Sequence, residues 1–272
     1  MANRSHQTLL VEKGVRAWNK WRKENVDTVP DLKKAVMKEA ELLKAMLAKA
    51  NLEGADLQGA SLFRADLREA DLREAKLGDA DLFRADLRGA NLENASLRKA
   101  ELLGANLDGA NLRGACLEGA YLRRAKLWEA VLEESDLSRA DLSQTDLRQS
   151  ILQKAKLWRA NLSDANLDGA DLRRADLSEA SFTGARLRKT DFRGADFWKV
   201  TLQAADLREA NLRGARDLSD EQLLPARSLY KAKLDPDLLA RLKEKEPRLF
   251  EKPAEEEERK EQAAVDLDFE GE

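Results

Sequence analysis

The chain has 272 residues and 36% of them are charged, yet 48 Lys and Arg against 51 Asp and Glu leave a net charge of only −3. That balance excludes the basic face of a general nucleic-acid binder and the strongly acidic composition of a wholly disordered chain. One cysteine, Cys116, excludes a disulfide framework and a thiolate metal cluster.

The first residues, MANRSHQTLLVEKG, contain no apolar stretch of signal-peptide length, and no apolar run anywhere approaches a membrane span. The expectation is a soluble cytoplasmic protein. Residues 1–30 then differ from all that follows. Leu10, Val11, Val15, Trp18 and Trp21 recur near one face at the helical period, which predicts a helix over about residues 6–24 with Ser5 as its N-cap. Val29-Pro30 ends it and turns the chain extended. Trp18 and Trp21 are the anchors of this N-terminal cap.

Residues 31–49 contain strong helix formers and would suit a second helix. They also continue the phase of the next segment backwards, with Leu32, Met37, Leu42 and Leu47 every fifth residue and Ala35, Ala40 and Ala45 two before. They are read here as four degenerate repeats. From Ala50 to Ala215 the repeat is unbroken, of the form Ala-(Asp/Asn)-Leu-x-x. Every centre from Leu52 to Leu212 is Leu except Phe182, Phe192 and Phe197, and no insertion shifts the phase. The residue two before the centre is Ala except at Ser135, Thr145, Ser150, Thr190 and Val200.

A period of five fits neither a straight helix nor a flat strand. Five residues advance a helix by about 500°, so the leucines would never form one face. In a strand, an odd period places successive leucines on opposite sides. They share an interior only if the chain bends at every repeat. Glycine marks the bend: 11 of the 14 glycines occupy the second position after the centre, where a type II turn needs positive φ. Coils with Arg or Glu there are expected to use another turn.

Two ladders give the size of a coil. At steps of 20 residues, Lys33, Glu53, Arg73, Glu93, Arg113 and Glu133 alternate in sign, and Leu43, Phe63, Phe83 and Leu103 are all apolar. Both patterns follow if residues 20 apart stack as cross-strand neighbours do. One coil is then four repeats, and some nine coils form a rod on the order of 45 Å long. The predicted fold is an all-β solenoid over residues 31–216.

After Ala215 the repeat stops. Ser219-Asp-Glu-Gln222 has the form of a capping box ahead of a short helix near residue 220. Asp235-Pro236 supplies an N-cap and a Pro at N1 for a second helix, which runs to Pro247. Residues 217–250 thus form a C-terminal helical cap, and 251–272 read as a disordered acidic tail. The open ends of a coil expose unpaired backbone, which makes both helical flanks natural lids.

These features resemble the pentapeptide repeat family, and the N-terminal LLVEKGVRAWNKWRKEN segment is similar to the flanks of bacterial members. The resemblance implies a right-handed quadrilateral β-helix with the centre residue and the preceding Ala pointing inward. It also brings a rival function, since one branch of the family mimics DNA, binds type II topoisomerases such as gyrase and confers fluoroquinolone resistance. Mimicry needs a column of regular negative charge. Here residues 50–215 carry 26 basic against 28 acidic groups, and the ladders alternate in sign or are basic.

Chemistry is sparse. The only histidine is His6, and no nucleophile–base set, metal-ligand cluster or phosphate loop is present. The repeated Asp before each Leu reads as a hydrogen-bonding and solubility device. We therefore expect no catalysis, cofactor or metal, and Cys116 reads as an unreactive wall thiol. The candidate function is a protein-interaction scaffold with an unidentified protein partner, no nucleic acid, no membrane, and a monomeric or weakly dimeric state. Leu43, Phe63, Phe83 and Leu103 form an outward apolar column that either contacts a partner or lies under the N-terminal helix. Trp128, Trp158 and Trp198 point outward as contact anchors or as scattered surface residues. Arg173, Arg193 and Arg213 stack like charges, which Asp171 and Asp191 are placed to compensate. Between residues 131 and 151 the wall changes, with Val131, Ser135, Thr145, Ser150 and Ile151 in unusual places; a bend, a lateral dimer contact and drift all fit.

Overall fold

The computed structural model describes residues 3–253 of the chain. Parallel bridges join residues 20 apart, from Asp31↔Asn51 onward, so that four five-residue repeats make one coil. Each side of the coil is pinned by one bridging residue per level rather than by an extended strand. The four sides are named here by their first bridging residues: Asp31, Val36, Glu41 and Met46. The segment 31–49 is part of this coil, and its bridges show no helical stretch.

The backbone accounting explains why five residues suffice. The centre N–H of Leu52 donates to the Asp71 carbonyl at 2.7 Å, and the Asp71 N–H donates back to the Ala50 carbonyl at 2.9 Å. The turn closes from the Ala55 N–H to the Leu52 carbonyl at 2.9 Å, while the Gly54 N–H reaches the Arg73 carbonyl of the next coil at 2.8 Å. Only the N–H after the centre lacks a ladder partner. The preceding Asn or Asp side chain supplies one, as from the Glu53 N–H to Asn51 Oδ1 at 3.2 Å. A stacked backbone favours satisfied polar groups, so Asp or Asn at this place serves the turn, while repeats such as those of Val131 and Ile151 keep the same turn and bridges without it.

Inside, the centres and the alanines are almost all fully buried, and each Leu contributes about 1.5–3 kcal/mol by its burial. Phe182, Phe192 and Phe197 widen the column near its C-terminal end and meet edge to face, with centroids 6.2 and 5.3 Å apart. The unusual wall residues do not disturb it. Bridges at a spacing of 20 run through Val131↔Ile151 without interruption. The buried hydroxyls of Ser135, Thr145 and Ser150 each donate to the carbonyl of the centre three residues earlier, at 2.8, 2.7 and 2.6 Å.

Several expectations are corrected. The turn does not change where glycine is absent: the second residue after the centre has φ between 53° and 74° in every repeat, whether it is Lys34, Arg64, Glu129 or Gly169. The inter-coil bonds of its N–H and of its neighbours hold the backbone there, against a strain of about 1–2 kcal/mol for a residue with a Cβ. Nor does the coil stop near residue 216. Asp206↔Ser228 and Asn211↔Lys233 continue it with a spacing of 22 after a two-residue insertion, burying Leu223, Leu229 and Leu234. The Asp31 side therefore climbs ten steps, on the order of 48 Å.

The N-terminal helix is also different from its expectation. Asn3, not Ser5, is the N-cap, its Oδ1 accepting from the Ser5 N–H at 3.0 Å. The first helix, α1 (Arg4–Gln7), passes into a π-helical turn over Thr8–Glu12. A left-handed Gly14 with φ of 79° then breaks the axis before α2 (Gly14–Glu24). At the other end, α3 (Asp220–Leu223) has the capping box, with the Ser219 N–H donating to Gln222 Oε1 at 2.9 Å. The last helix, α4 (Pro236–Lys245), has Pro at N1, but the Asp235 carboxylate leaves the helix and accepts from the Gly214 N–H at 3.1 Å. A 3-10 turn, Pro247–Phe250, follows. The expected tail falls mostly beyond residue 253, outside the described residues.

Candidate functional site

With the interior filled, function has only the four sides and two ends to work with. The N-terminal end is closed by side chains acting as a missing coil. The Asp31 N–H donates to His6 Nδ1 at 3.1 Å, and the Asn3 N–H donates to the Asp31 carbonyl at 3.1 Å. Gln7 Nε2 donates to the Val36 carbonyl at 3.1 Å. Asn19 both donates to the Lys44 carbonyl and accepts from the Met46 N–H, at 2.9 and 2.8 Å. Trp18, fully buried, donates its indole N–H to the Met46 carbonyl at 2.9 Å, and its ring packs 5.2 Å from that of Trp21. Arg22 reaches the Ala48 carbonyl at 3.3 Å. At the C-terminal end Gln222 Nε2 donates to the carbonyls of Phe197 and Val200, at 2.6 and 3.1 Å. The Leu229 N–H meets the Leu249 carbonyl at 2.7 Å.

The sides carry many charges, and most are matched. In Asp66, Asp71, Asp86, Asp146, Asp171, Asp191 and Asp206, the carboxylate grips the arginine two residues later through Nε and Nη2. This Asp-Leu-Arg spacing (with Phe192 at one centre) was visible in the chain and carries a fork-to-fork pairing that the ladder reading missed. It compensates the Arg173 and Arg193 ladder as expected. The sign-alternating ladder also forms, with Lys33–Glu53 at 2.6 Å, Arg73–Glu53 at 3.4 Å and Arg113–Glu133 at 2.9 Å. The pairings hold Glu53, first through Lys33, below its usual range, while the Asp108 carboxyl is pushed up by burial.

The apolar column sits on the Glu41 side. Phe63 and Phe83 stack with centroids 5.4 Å apart and planes 14° apart. Both are half-buried, as is Leu103, whereas Leu43 is exposed. The N-terminal helix bonds the backbone at Lys44, Met46 and Ala48 but has no hydrogen bond to the column. The guanidinium of Arg64 lies 5.4 Å from the Phe63 ring and that of Arg84 lies 5.5 Å from the Phe83 ring.

The tryptophans do not converge. Trp158 and Trp198 lie on the Val36 side two coils apart, and Trp128 on the Met46 side. Trp158 is half-buried between the guanidinia of Arg139 and Arg159, at 4.7 and 4.6 Å. Trp128 and Trp198 are both 45% exposed, the latter beneath Lys199 Nζ at 4.3 Å. Cys116 is a partly buried free thiol between Ser96 and Asp136 on the Val36 side. Among the described residues no group of His, Cys, Asp or Glu is placed to hold a metal, and no helix is long and apolar enough to cross a membrane.

A family model described as pentapeptide repeats matches the chain in eight overlapping copies, which together run from residue 31 to residue 216. Comparison with curated proteins gives no match. Among solved structures, the chain is similar to HetL, a pentapeptide repeat protein involved in heterocyst differentiation regulation in the cyanobacterium Nostoc sp. strain PCC 7120. The identity is 35% over 71% of this chain and 95% of that one, with a TM-score of 0.32. A trypsin-treated form of QnrB1, a plasmid-mediated fluoroquinolone resistance protein, aligns at 18% identity over 70% of this chain and 95% of its own, with a TM-score of 0.42. Rfr23, from the cyanobacterium Cyanothece 51142, aligns at 29% identity over 44% of this chain and 58% of its own, with a TM-score of 0.11.

Proposed function

The chain belongs to the pentapeptide repeat family, its coil is read as the quadrilateral β-helix of that family, and we propose that it is a non-catalytic scaffold that binds another protein through a side of the rod. The observation that carries this reading is a contrast between the sides. Asp-Leu-Arg forks and inter-coil ion pairs occupy the charged columns, whereas Leu43, Phe63, Phe83 and Leu103 keep apolar surface in register on one side. Aromatic side chains on a rigid frame make efficient contact anchors, because little conformational freedom is lost on binding. The lids at either end leave the sides as the accessible surface. Trp128 and Trp198 are secondary contact candidates on other sides.

Binding to a topoisomerase as a DNA mimic is the rival reading. It needs free negative charge at regular spacing, and the aspartates that recur here are engaged by arginines and by turn N–H groups. Affinity capture from the source cells, with wild type beside Phe63→Ser/Phe83→Ser, tests the scaffold. A partner held by wild type and lost in the variant supports it; identical recoveries from the two reject the column as the contact. Inhibition of gyrase supercoiling at stoichiometric protein would replace the scaffold reading with the rival.

A further inference from the structure

We propose that the Leu43–Phe63–Phe83–Leu103 column pairs with the same column of a second copy of this chain, the two rods lying parallel and side by side. The inference rests on the reading of this side as a contact surface and names its occupant. A two-fold interface must be complementary to itself, and the flanks of the column have that property. The chain crosses the Glu41 side in one direction, so the residues before the column form one flank and those after it form the other. The upstream flank holds Glu39, Glu41, Asp79, Asp81 and Glu101; the downstream corner holds Lys44, Arg64 and Arg84. One flank is therefore mainly acidic and the other basic.

A two-fold axis running along the rod lays the basic flank of one copy on the acidic flank of the other at the same level. Lys44 then faces Glu41 of the second copy, and Arg84 faces its Asp81, while the stacked rings meet between them. Lys99, the cation on the acidic flank, meets the level of Gly104, which has no side chain. An axis across the rod would instead bring Arg64 of one copy level with Arg84 of the other, so the antiparallel arrangement opposes like charges. The column ends at Arg123, which takes the next place in the ladder.

The surface is small. Four coils at about 4.8 Å, by some three residues at about 3.3 Å, give on the order of 200 Å² per copy, or about twice that with the flanks. A standard interface buries about 800 Å² per partner, so the pair is a weak one that forms at high protein concentration.

Sedimentation equilibrium of the full chain, from about 5 to 500 μM, reads this directly. Wild type is expected to show a dimer near the top of that range, and Phe83→Glu to weaken it at least tenfold. The orientation is tested by Lys44→Glu and Glu41→Lys. Neither side chain has an ion pair or hydrogen bond among the described residues. Each variant alone is expected to dimerise more weakly than wild type, and an equimolar mixture is expected to form a heterodimer tighter than either. A chain that stays monomeric at about 500 μM overturns the proposal, as does a dimer indifferent to Phe83→Glu or a mixture that fails to pair. Loss of a different protein partner in the Phe63→Ser/Phe83→Ser capture experiment, with wild type monomeric throughout, would sink the dimer and leave the scaffold standing.

Discussion

Replacing Trp18 by Ala isolates the N-terminal lid. Its ring is fully buried beside Trp21 and His6, with centroids 5.2 Å from Trp21 and 6.3 Å from His6. Truncating a buried Trp to Ala costs about 3–5 kcal/mol. Within that, the indole bond to the Met46 carbonyl accounts for about 1 kcal/mol, and more if the carbonyl is left dry. Trp18→Phe separates the two terms, because it keeps most of the packing and removes only the donor. In a repeat array each coil contacts only its neighbours, so the loss should stay at the end where it is made. Hydrogen exchange is the assay. The Met46 N–H is held by Asn19 and the Asp31 N–H by His6, so both amides lose protection when the lid detaches. At about 1.4 kcal/mol per tenfold, Trp18→Ala should speed their exchange by about a hundredfold to a few thousandfold, and Trp18→Phe by about tenfold. Amides in mid-rod, such as Leu147 N–H bonded to the Asn166 carbonyl at 2.7 Å, should be unaffected. A uniform loss along the rod, or unchanged protection at Met46, would refute the localised lid.

Deleting residues 1–28 removes all of these edge partners at once and is expected to produce concentration-dependent oligomers by light scattering, whereas a monodisperse truncation of equal stability would count against the lid. Gly109→Ala meets no atom within 4 Å of the added Cβ, so the cost is the left-handed strain at φ of 64° alone, about 1–2 kcal/mol by chemical denaturation. Ser135→Ala restores the usual residue; the Leu132 carbonyl keeps its bond from the residue 135 N–H, so stability should change by less than about 1 kcal/mol. Arg241 and Lys245 hold the Asp220 carboxyl down at about 2. A carboxylate lowered on folding stabilises above its unfolded value of 3.8 and loses that contribution as pH falls from there towards 2. Docking of α4, followed by exchange of its amides, should weaken across that window in wild type and not in Asp220→Asn.

The repeat made most of this fold legible before any coordinates. A period of five forbids the straight helix and the flat strand, and the sign-alternating ladder from Lys33 to Glu133 fixed the coil at four repeats. What it hid was of two kinds. The turn at Arg64 or Glu129 is set by bonds to the neighbouring coil, so a local rule built on glycine could not predict it. The continuation to Lys233 was masked by its two-residue insertion, which breaks the phase while keeping Leu229 and Leu234 in the interior. At the candidate site, the column was readable from spacing alone, but the docking of the N-terminal helix on the backbone at Lys44, Met46 and Ala48 was not. That depends on Gly14, whose left-handed φ changes the direction of the segment, and on Asn19, which pairs with backbone from 25 residues further on.

The spacing of 20 acts as an indexing mechanism for the whole molecule. Excising one coil, twenty residues, would shorten the rod and leave every downstream column on its original side. Excising one repeat would keep the interior pattern of Leu and Ala intact while rotating everything beyond it by a quarter turn. Trp158 and Trp198 would move to the side that now carries Gln153 and Arg193, and the C-terminal lid would turn with them. Length and angular position can thus be edited separately, with a coil as the unit of one and a single repeat as the unit of the other.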